Sequence, residues 1–210
     1  MATSRTTSVE LPLFPLQAVL FPGGLLNLKV FEPRYLDLMS ACLREQRSFG
    51  VVSLRKGSEV RRQSSGAGAV SFEFVGVEAE LLDVDAAQAN ILQVRCRGLE
   101  RFEVRETRQA PDGLWTARVR RQPADEQVLP TAALIETARG LANAIATLKQ
   151  QGSEPFLKPF HFEDAGWVAN RWCEILPIPL TAKQKLMELP DPLARLQLVA
   201  DFLRDKGVVK

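Results

Sequence analysis

Along this chain the spacing of apolar positions changes near residue 122, from runs and alternations that suit strands to steps of three and four that suit helices. The first apolar run is Leu11 to Leu28, eighteen residues without a charge between Glu10 and Lys29. About eighteen to twenty apolar residues suffice to cross a bilayer, but the punctuation here argues against one helix. Pro12, Pro15 and Pro22 each remove a backbone donor, and Gly23 and Gly24 follow directly. The run therefore predicts two buried strand-like segments, Glu10–Phe14 and Leu25–Phe31, joined by a loop that turns at Phe21–Gly24. Next, Tyr35, Leu38, Met39 and Cys42 recur at helical spacing behind Pro33, a residue suited to a first helical turn. This predicts one helix over Pro33–Gln46, followed by a strand over Phe49–Leu54.

Arg55 to Gly68 is rich in glycine, serine and charge and predicts an exposed loop. Long strands are expected over Ala69–Val84 and Asn90–Arg105, with the acidic stretch Asp83–Gln88 as their connection. Gln93, Arg95 and Arg97 alternate with Leu92, Val94 and Cys96, so one face is buried and the other wet. Gly98 interrupts that alternation and predicts a bulge or a tight bend. Pro111-Asp112-Gly113 is a turn signal, and Leu114–Arg121 is the returning strand.

Beyond Gln122–Pro130 the pattern is helical. Leu134, Ala138, Leu141, Ile145 and Leu148 form one apolar stripe within Thr131–Gln150. Asp164 is placed to cap a helix through Glu174, which Pro177 and Pro179 stop. Thr181 and Gln184 have the spacing of a capping box for a helix over Ala182–Glu188. Asp191-Pro192 signals the start of a last helix that buries Leu193, Leu196, Val199, Ala200 and Leu203 and ends near Gly207. Strands segregated before helices make an α+β chain: an N-terminal antiparallel β domain with one embedded helix, residues 9–122, then an α-helical bundle, residues 129–206.

The opening LPLFPLQAVLFPGGLLNLKVFEPRY resembles the start of the N-terminal, substrate-recognition domain of Lon protease. The resemblance continues through Phe74–Leu81, where Gly76 follows an apolar residue, and through Val94–Phe102 around Gly98 and Arg101. Trp167–Leu176 and Lys183–Leu203 are similar to the closing helices of that family. Together these stretches span about Val9 to Leu203. The resemblance implies a pseudo-barrel-like β domain and a non-catalytic module that recognises polypeptide, either unfolded segments or a partner protein. It also implies that the ATPase and protease chemistry of Lon belongs to regions with no counterpart here, since the chain carries no G-x-x-x-x-G-K-[ST] phosphate loop. Arg34 and Arg101 match positions in the family pattern and are candidate anchors for an extended ligand, or turn-fixing arginines. Tyr35 and Met39, on the embedded helix, are candidates for an apolar patch that grips peptide. Two routes are open, an apolar groove at the junction of the halves and β-augmentation on an edge strand.

Composition narrows the alternatives. A net charge of +2 gives no global drive toward nucleic acid or an anionic membrane, and no second apolar run approaches bilayer length, which predicts a soluble, cytoplasmic protein. Cys42, Cys96 and Cys173 are odd in number and scattered, as buried small hydrophobes rather than a disulfide or metal framework. No cofactor and no metal are expected, because ligand-type residues do not cluster. His161 is the single histidine, so any hydrolytic triad would need it; its setting, Pro159-Phe160-His161-Phe162-Glu163, suits a surface side chain. Gly66-Ala67-Gly68 lacks the third glycine and the helix of a dinucleotide fingerprint. Arg55, Lys56, Arg61 and Arg62 against Glu59 form a basic cluster, without an aromatic residue between Arg55 and Ser71. A nucleic-acid or anion binder using the Arg55–Arg62 loop is one rival reading, and a small-molecule pocket protein is the other.

Overall fold

The computed structural model describes residues 9–56 and 70–209, and the segment carrying Arg61, Arg62 and Gly66–Gly68 lies outside the described residues. Two compact units divide the chain, Met1–Pro22 with Leu26–Pro123 and Gly23–Leu25 with Ala124–Lys210.

In the first unit, β1 (Val9–Leu16), β2 (Leu25–Val30), the helix α1 (Pro33–Glu45) and β3 (Phe49–Lys56) are followed by β4 (Ser71–Phe72), β5 (Val75–Gln88), β6 (Ile91–Gln109) and β7 (Trp115–Arg121). Strands β1, β7, β6, β5 and β3 pair in that order, and β1 also pairs β3, so five strands close on themselves. The closing β1–β3 pair is parallel, with Leu13 opposite Gly50, and the other four pairings of the ring are antiparallel. β2 pairs β6, and β4 extends the edge of β3. Prolines 12 and 15 are tolerated in β1, where one residue in two faces away from each neighbour's ladder. The interior is filled by Leu11, Leu13, Val52, Phe102, Val104, Ala117 and Val119, drawn from the inward positions of β1, β3, β6 and β7.

The glycine singled out in β5 has a packing reason. A Cβ on Gly76 would sit 2.4 Å from the Val51 carbonyl oxygen and 2.6 Å from the Phe102 ring. The expected irregularity at Gly98 is present: β5 and β6 change register between the pairs Val77–Arg101 and Ala79–Gly98. A side chain there would meet the Phe21 carbonyl oxygen at 2.3 Å, so the bulge brings two backbones to a distance only glycine allows.

The stretch Asp83–Gln88 is strand, not connection. β5 runs unbroken to Gln88, and the turn is Ala89-Asn90, with Asn90 at φ +62°. Asp83 and Asp85 stand opposite Arg95 and Gln93 on the exposed face of the β5–β6 pair, where a carboxylate does not interrupt pairing. Helix α1 begins at Pro33 as expected and ends on Gln46 in the left-handed region, φ +51°. Its buried face is Tyr35, Leu38, Met39 and Cys42.

In the second unit a 3₁₀ turn, Ala132–Leu134, leads into α2 (Ile135–Gln150), followed by α3 (Ala165–Ile175), α4 (Leu180–Glu188) and α5 (Pro192–Asp205). Asp164 caps α3 by accepting from the Gly166 and Trp167 amides, and Asp191 caps α5 by accepting from Leu193 and Ala194. The capping box at Thr181 does not form. The Pro179 carbonyl already accepts from Ala182 and Lys183, which starts α4 at Leu180 and places Thr181 inside the helix. Gln184 turns inward instead and donates to Glu188 at 2.8 Å. No helix among the described residues is long and apolar enough to cross a membrane.

Candidate polypeptide-binding surface

The four residues singled out from the sequence lie inside the first unit. Tyr35 is 4% exposed, Met39 0% and Arg101 3%. Tyr35 stacks on Phe14 with ring centroids 4.0 Å apart. The Arg34 guanidinium lies over the Tyr35 ring at 4.6 Å, pairs with Glu32 at 2.9 Å and donates to the Gly113 carbonyl at 3.0 Å. It thus ties the start of α1 to the β6–β7 turn. Arg34 and Tyr35 are brought together directly, and none of the four offers more than a sliver of surface to a ligand.

A second buried polar group lies nearby on β5. Glu78 accepts two hydrogen bonds from Arg121, each 2.8 Å, and one from Ser48. Burial alone would raise its carboxyl, but these bonds and the Arg121 charge outweigh that and hold it below the usual carboxylate range. The three thiols are buried, and burial pushes Cys96 and Cys173 up to about 12, which leaves them poor nucleophiles and poor metal ligands. No group of three or more His, Cys, Asp or Glu among the described residues could hold a metal ion. His161 bonds Glu163 at 3.2 Å on the surface of the second unit.

The first unit exposes Phe31, Leu43, Phe74 and Leu82, and Phe74 follows β4 at the end of the barrel where β4 pairs β3. Val9, Phe72 and Trp115 pack against its core while remaining partly exposed. Phe72 and Trp115 meet edge to face at 5.6 Å and 80°. Phe74, two residues on, is 59% exposed. Its backbone is fixed by the bond from the Val104 amide to its carbonyl, 2.7 Å, and by the neighbouring Glu73 amide donating to Ser53 at 2.8 Å. A large apolar side chain is therefore held in water by a rigid backbone. The Arg55 guanidinium lies over Phe74 at 5.5 Å and pairs with Glu73 at 2.5 Å. An exposed aromatic ring with an arginine stacked on it can take an apolar side chain and hydrogen-bond a peptide carbonyl, and the Phe72–Trp115 pair is a second, partly exposed aromatic contact.

The sequence missed the Phe72–Trp115 contact because β4 and β7 are far apart along the chain and are not neighbours in the sheet. The available signal was Phe72-Glu73-Phe74, two aromatics one residue apart immediately after the polar loop. Of the basic cluster, Arg55 and Lys56 end β3, and Glu73 offsets the Arg55 charge. Closure of the ring also bears on edge pairing. β5 is paired to β3 only as far as Ala79, so its outer edge beyond that point has no partner among the described strands. Along that stretch the β5–β6 ladder on the other side shifts register at Leu81–Asp83 and Asp85–Gln88, and such irregularities in a strand discourage added strands.

Three comparisons place these features among known proteins. The family model described as "ATP-dependent protease La (LON) substrate-binding domain" matches residues 10–205. Lon protease from Anaeromyxobacter dehalogenans (strain 2CP-C) is 27% identical over 203 residues, 93% of this chain and 23% of that protein. The chain thus spans about a quarter of the length of the curated Lon relatives it matches. Among solved structures, a Lon N-terminal domain protein from Xanthomonas campestris superposes with a TM-score of 0.73 at 30% identity, covering 91% of this chain and 98% of that one. The N-terminal domain of a Mycobacterium avium complex Lon protease shares the fold, with a TM-score of 0.62 at 16% identity over 94% and 99% of the two chains.

Proposed function

Because this chain belongs to the LON substrate-binding domain family, we propose that it is a polypeptide-recognition module that captures exposed apolar segments of unfolded chains or of a partner protein at the barrel end. The observation that carries this reading is Phe74, 59% exposed on a backbone pinned at both of its neighbouring strands. An exposed aromatic on a rigid frame binds without an ordering cost of its own. Arg55 supplies a donor beside this ring, and the Phe72–Trp115 pair offers a second apolar contact.

In this reading Arg34 and Tyr35 act from beneath, Arg34 bracing the start of α1 against the β6–β7 turn, while Met39 and Arg101 are buried side chains of the fold. Side-chain capture is favoured over strand addition, because the stretch of β5 with an open edge carries two irregularities in its ladder with β6. The chain recognises polypeptide and does not itself cut it. It works in the cytoplasm, where its thiols stay reduced.

The test is binding of the purified chain to a panel of unfolded and folded polypeptides at low and at high salt. Binding to apolar unfolded segments that survives high salt, and that weakens in Phe74→Ser, supports the reading. Binding that disappears at high salt moves the contact to the basic segment after β3. No binding to any polypeptide would refute it.

A further inference from the structure

A second aromatic surface lies in the second unit, in the loop before α3. Trp167 is contacted by three rings: Phe162 at 5.4 Å, Phe160 at 5.9 Å and His161 at 6.2 Å between centroids. Phe160 and Phe162 meet each other at 5.9 Å. All four side chains remain partly exposed.

Trp167 is held by the loop itself. Its backbone amide donates to the Asp164 side chain at 3.3 Å, which fixes the main chain that carries the indole in the first turn of α3. The Arg171 guanidinium, buried, already lies over this ring at 5.8 Å. Along the loop from Gln151 to Asp164 the charge is acidic, with Glu154, Glu163 and Asp164 against Lys158. Glu163 is the carboxylate at the edge of the cluster. Its side chain is 67% exposed and accepts from His161 at 3.2 Å, and His161 stands edge-on to Trp167. Ring faces offer a negative quadrupole to a cation, most strongly in tryptophan, and an exposed carboxylate nearby adds a Coulombic attraction.

We propose that Phe160, Phe162 and Trp167, with Glu163 at their rim, form a docking site for a cationic side chain, lysine or arginine, of an extended polypeptide. The site is separate from the barrel end and gives the polypeptide-recognition reading a chemical preference, apolar at one surface and cationic at the other. It rests on that reading for the identity of the partner, and its own test does not, since a single capped amino acid is a sufficient probe. Arginine and lysine carry long apolar stems that lie along ring faces while the charged head reaches the carboxylate. A purely apolar side chain would gain the first contact and not the second.

The experiment uses the full chain with its tryptophans labelled at the indole nitrogen, titrated with the amides of acetyl-lysine, acetyl-arginine and acetyl-norleucine. Trp172 serves as the internal reference, since it donates its indole proton to the Thr137 carbonyl at 2.9 Å inside the fold. The expected result is a saturable shift of the Trp167 resonance with the lysine and arginine amides, and at least a several-fold weaker response to norleucine. Glu163→Gln weakens the cationic probes by about two- to fivefold and leaves norleucine unchanged. Three outcomes each overturn the proposal: no saturable shift of Trp167, an equal response to norleucine, or unchanged affinity in Glu163→Gln. The folded state of that variant is verified by the Trp172 resonance. Polypeptide binding at Phe74 can succeed while this titration fails, which separates the two readings.

Discussion

Arg195 and Asp125 form a closed ion pair, Nη1 to Oδ2 at 2.7 Å, with the arginine side chain wholly sealed from solvent. The same guanidinium donates to Asn170 on α3 at 3.0 Å, to the Leu186 carbonyl at 3.0 Å and to the Leu189 carbonyl at the end of α4. One side chain thus holds α3, α4, α5 and the segment at Asp125 together. Removing Asp125 leaves a buried cation without its counter-charge, a change that costs about 3–5 kcal/mol. Asp125→Ala is expected to lower the urea midpoint far more than Asp201→Ala, which breaks an exposed pair with Arg204. Equal midpoints would contradict this account of the second unit.

The glycines give a graded expectation. Gly98→Ala sets a methyl 2.3 Å from a backbone oxygen that cannot retreat without moving the turn at Phe21, and it should cost about 2–3 kcal/mol. Gly140→Ala lies in α2, where the nearest atom, at 2.9 Å, is the end of the Val209 side chain. That side chain can swing aside, and alanine favours the helix by about 1 kcal/mol, so this variant should be neutral or slightly stabilised. Thermal unfolding of both variants decides it, and a Gly98→Ala protein as stable as the parent would remove the close approach as the reason for glycine.

These contrasts also mark what was legible in the amino-acid order. Asp164 and Asp191 were readable as caps because the interaction is confined to three residues, and the Val94–Arg97 alternation because one face of β6 is wet. Asp83 and Asp85 misled, since acidic residues suggest a turn, yet here they face solvent across from β6. Thr181 misled for a related reason: its spacing to Gln184 was right, but Pro179 had already set the first turn. Tyr35 and Met39 were identified correctly as the apolar face of α1; whether that face met core or ligand depends on Phe14 and on the closed ring, which no local pattern contains. The Phe72–Trp115 contact was out of reach for the same reason.

Two carboxylates predict opposite pH dependences. The folded-state pKa of Glu78 is lowered, so its contribution to stability is present above about pH 4.5 and is lost as pH falls through the folded value. Glu174 is the reverse case. Burial raises it to about 7 even though Arg171 donates to it at 2.7 Å, so its contribution is complete below about pH 4.5 and disappears as pH rises through about 7. Glu78→Gln should therefore flatten the acid limb of the stability–pH curve, and Glu174→Gln the neutral limb, as measured by denaturant midpoints from pH 3 to 9. A Glu174→Gln curve parallel to the parent above pH 5 would count against a raised carboxyl.

Phe74 carries the functional reading and allows the sharpest separation of binding from folding. It is 59% exposed, so replacing it with serine removes little packing and should change stability by less than about 0.5 kcal/mol. Loss of an exposed aromatic anchor from a binding surface typically costs about 1–2 kcal/mol, a five- to thirtyfold weaker complex. Phe74→Ser is thus expected to keep the parent's melting temperature while losing affinity for apolar unfolded polypeptide by that factor. Trp115→Ala, whose ring packs on the barrel core, should lose both together. Arg55→Gln tests the rim: it removes the cation over Phe74 and should lower affinity by about two- to fivefold, with little dependence on salt because Glu73 already offsets its charge. Unchanged affinity in Phe74→Ser, measured on a chain with parental stability, would move polypeptide recognition away from this end of the barrel.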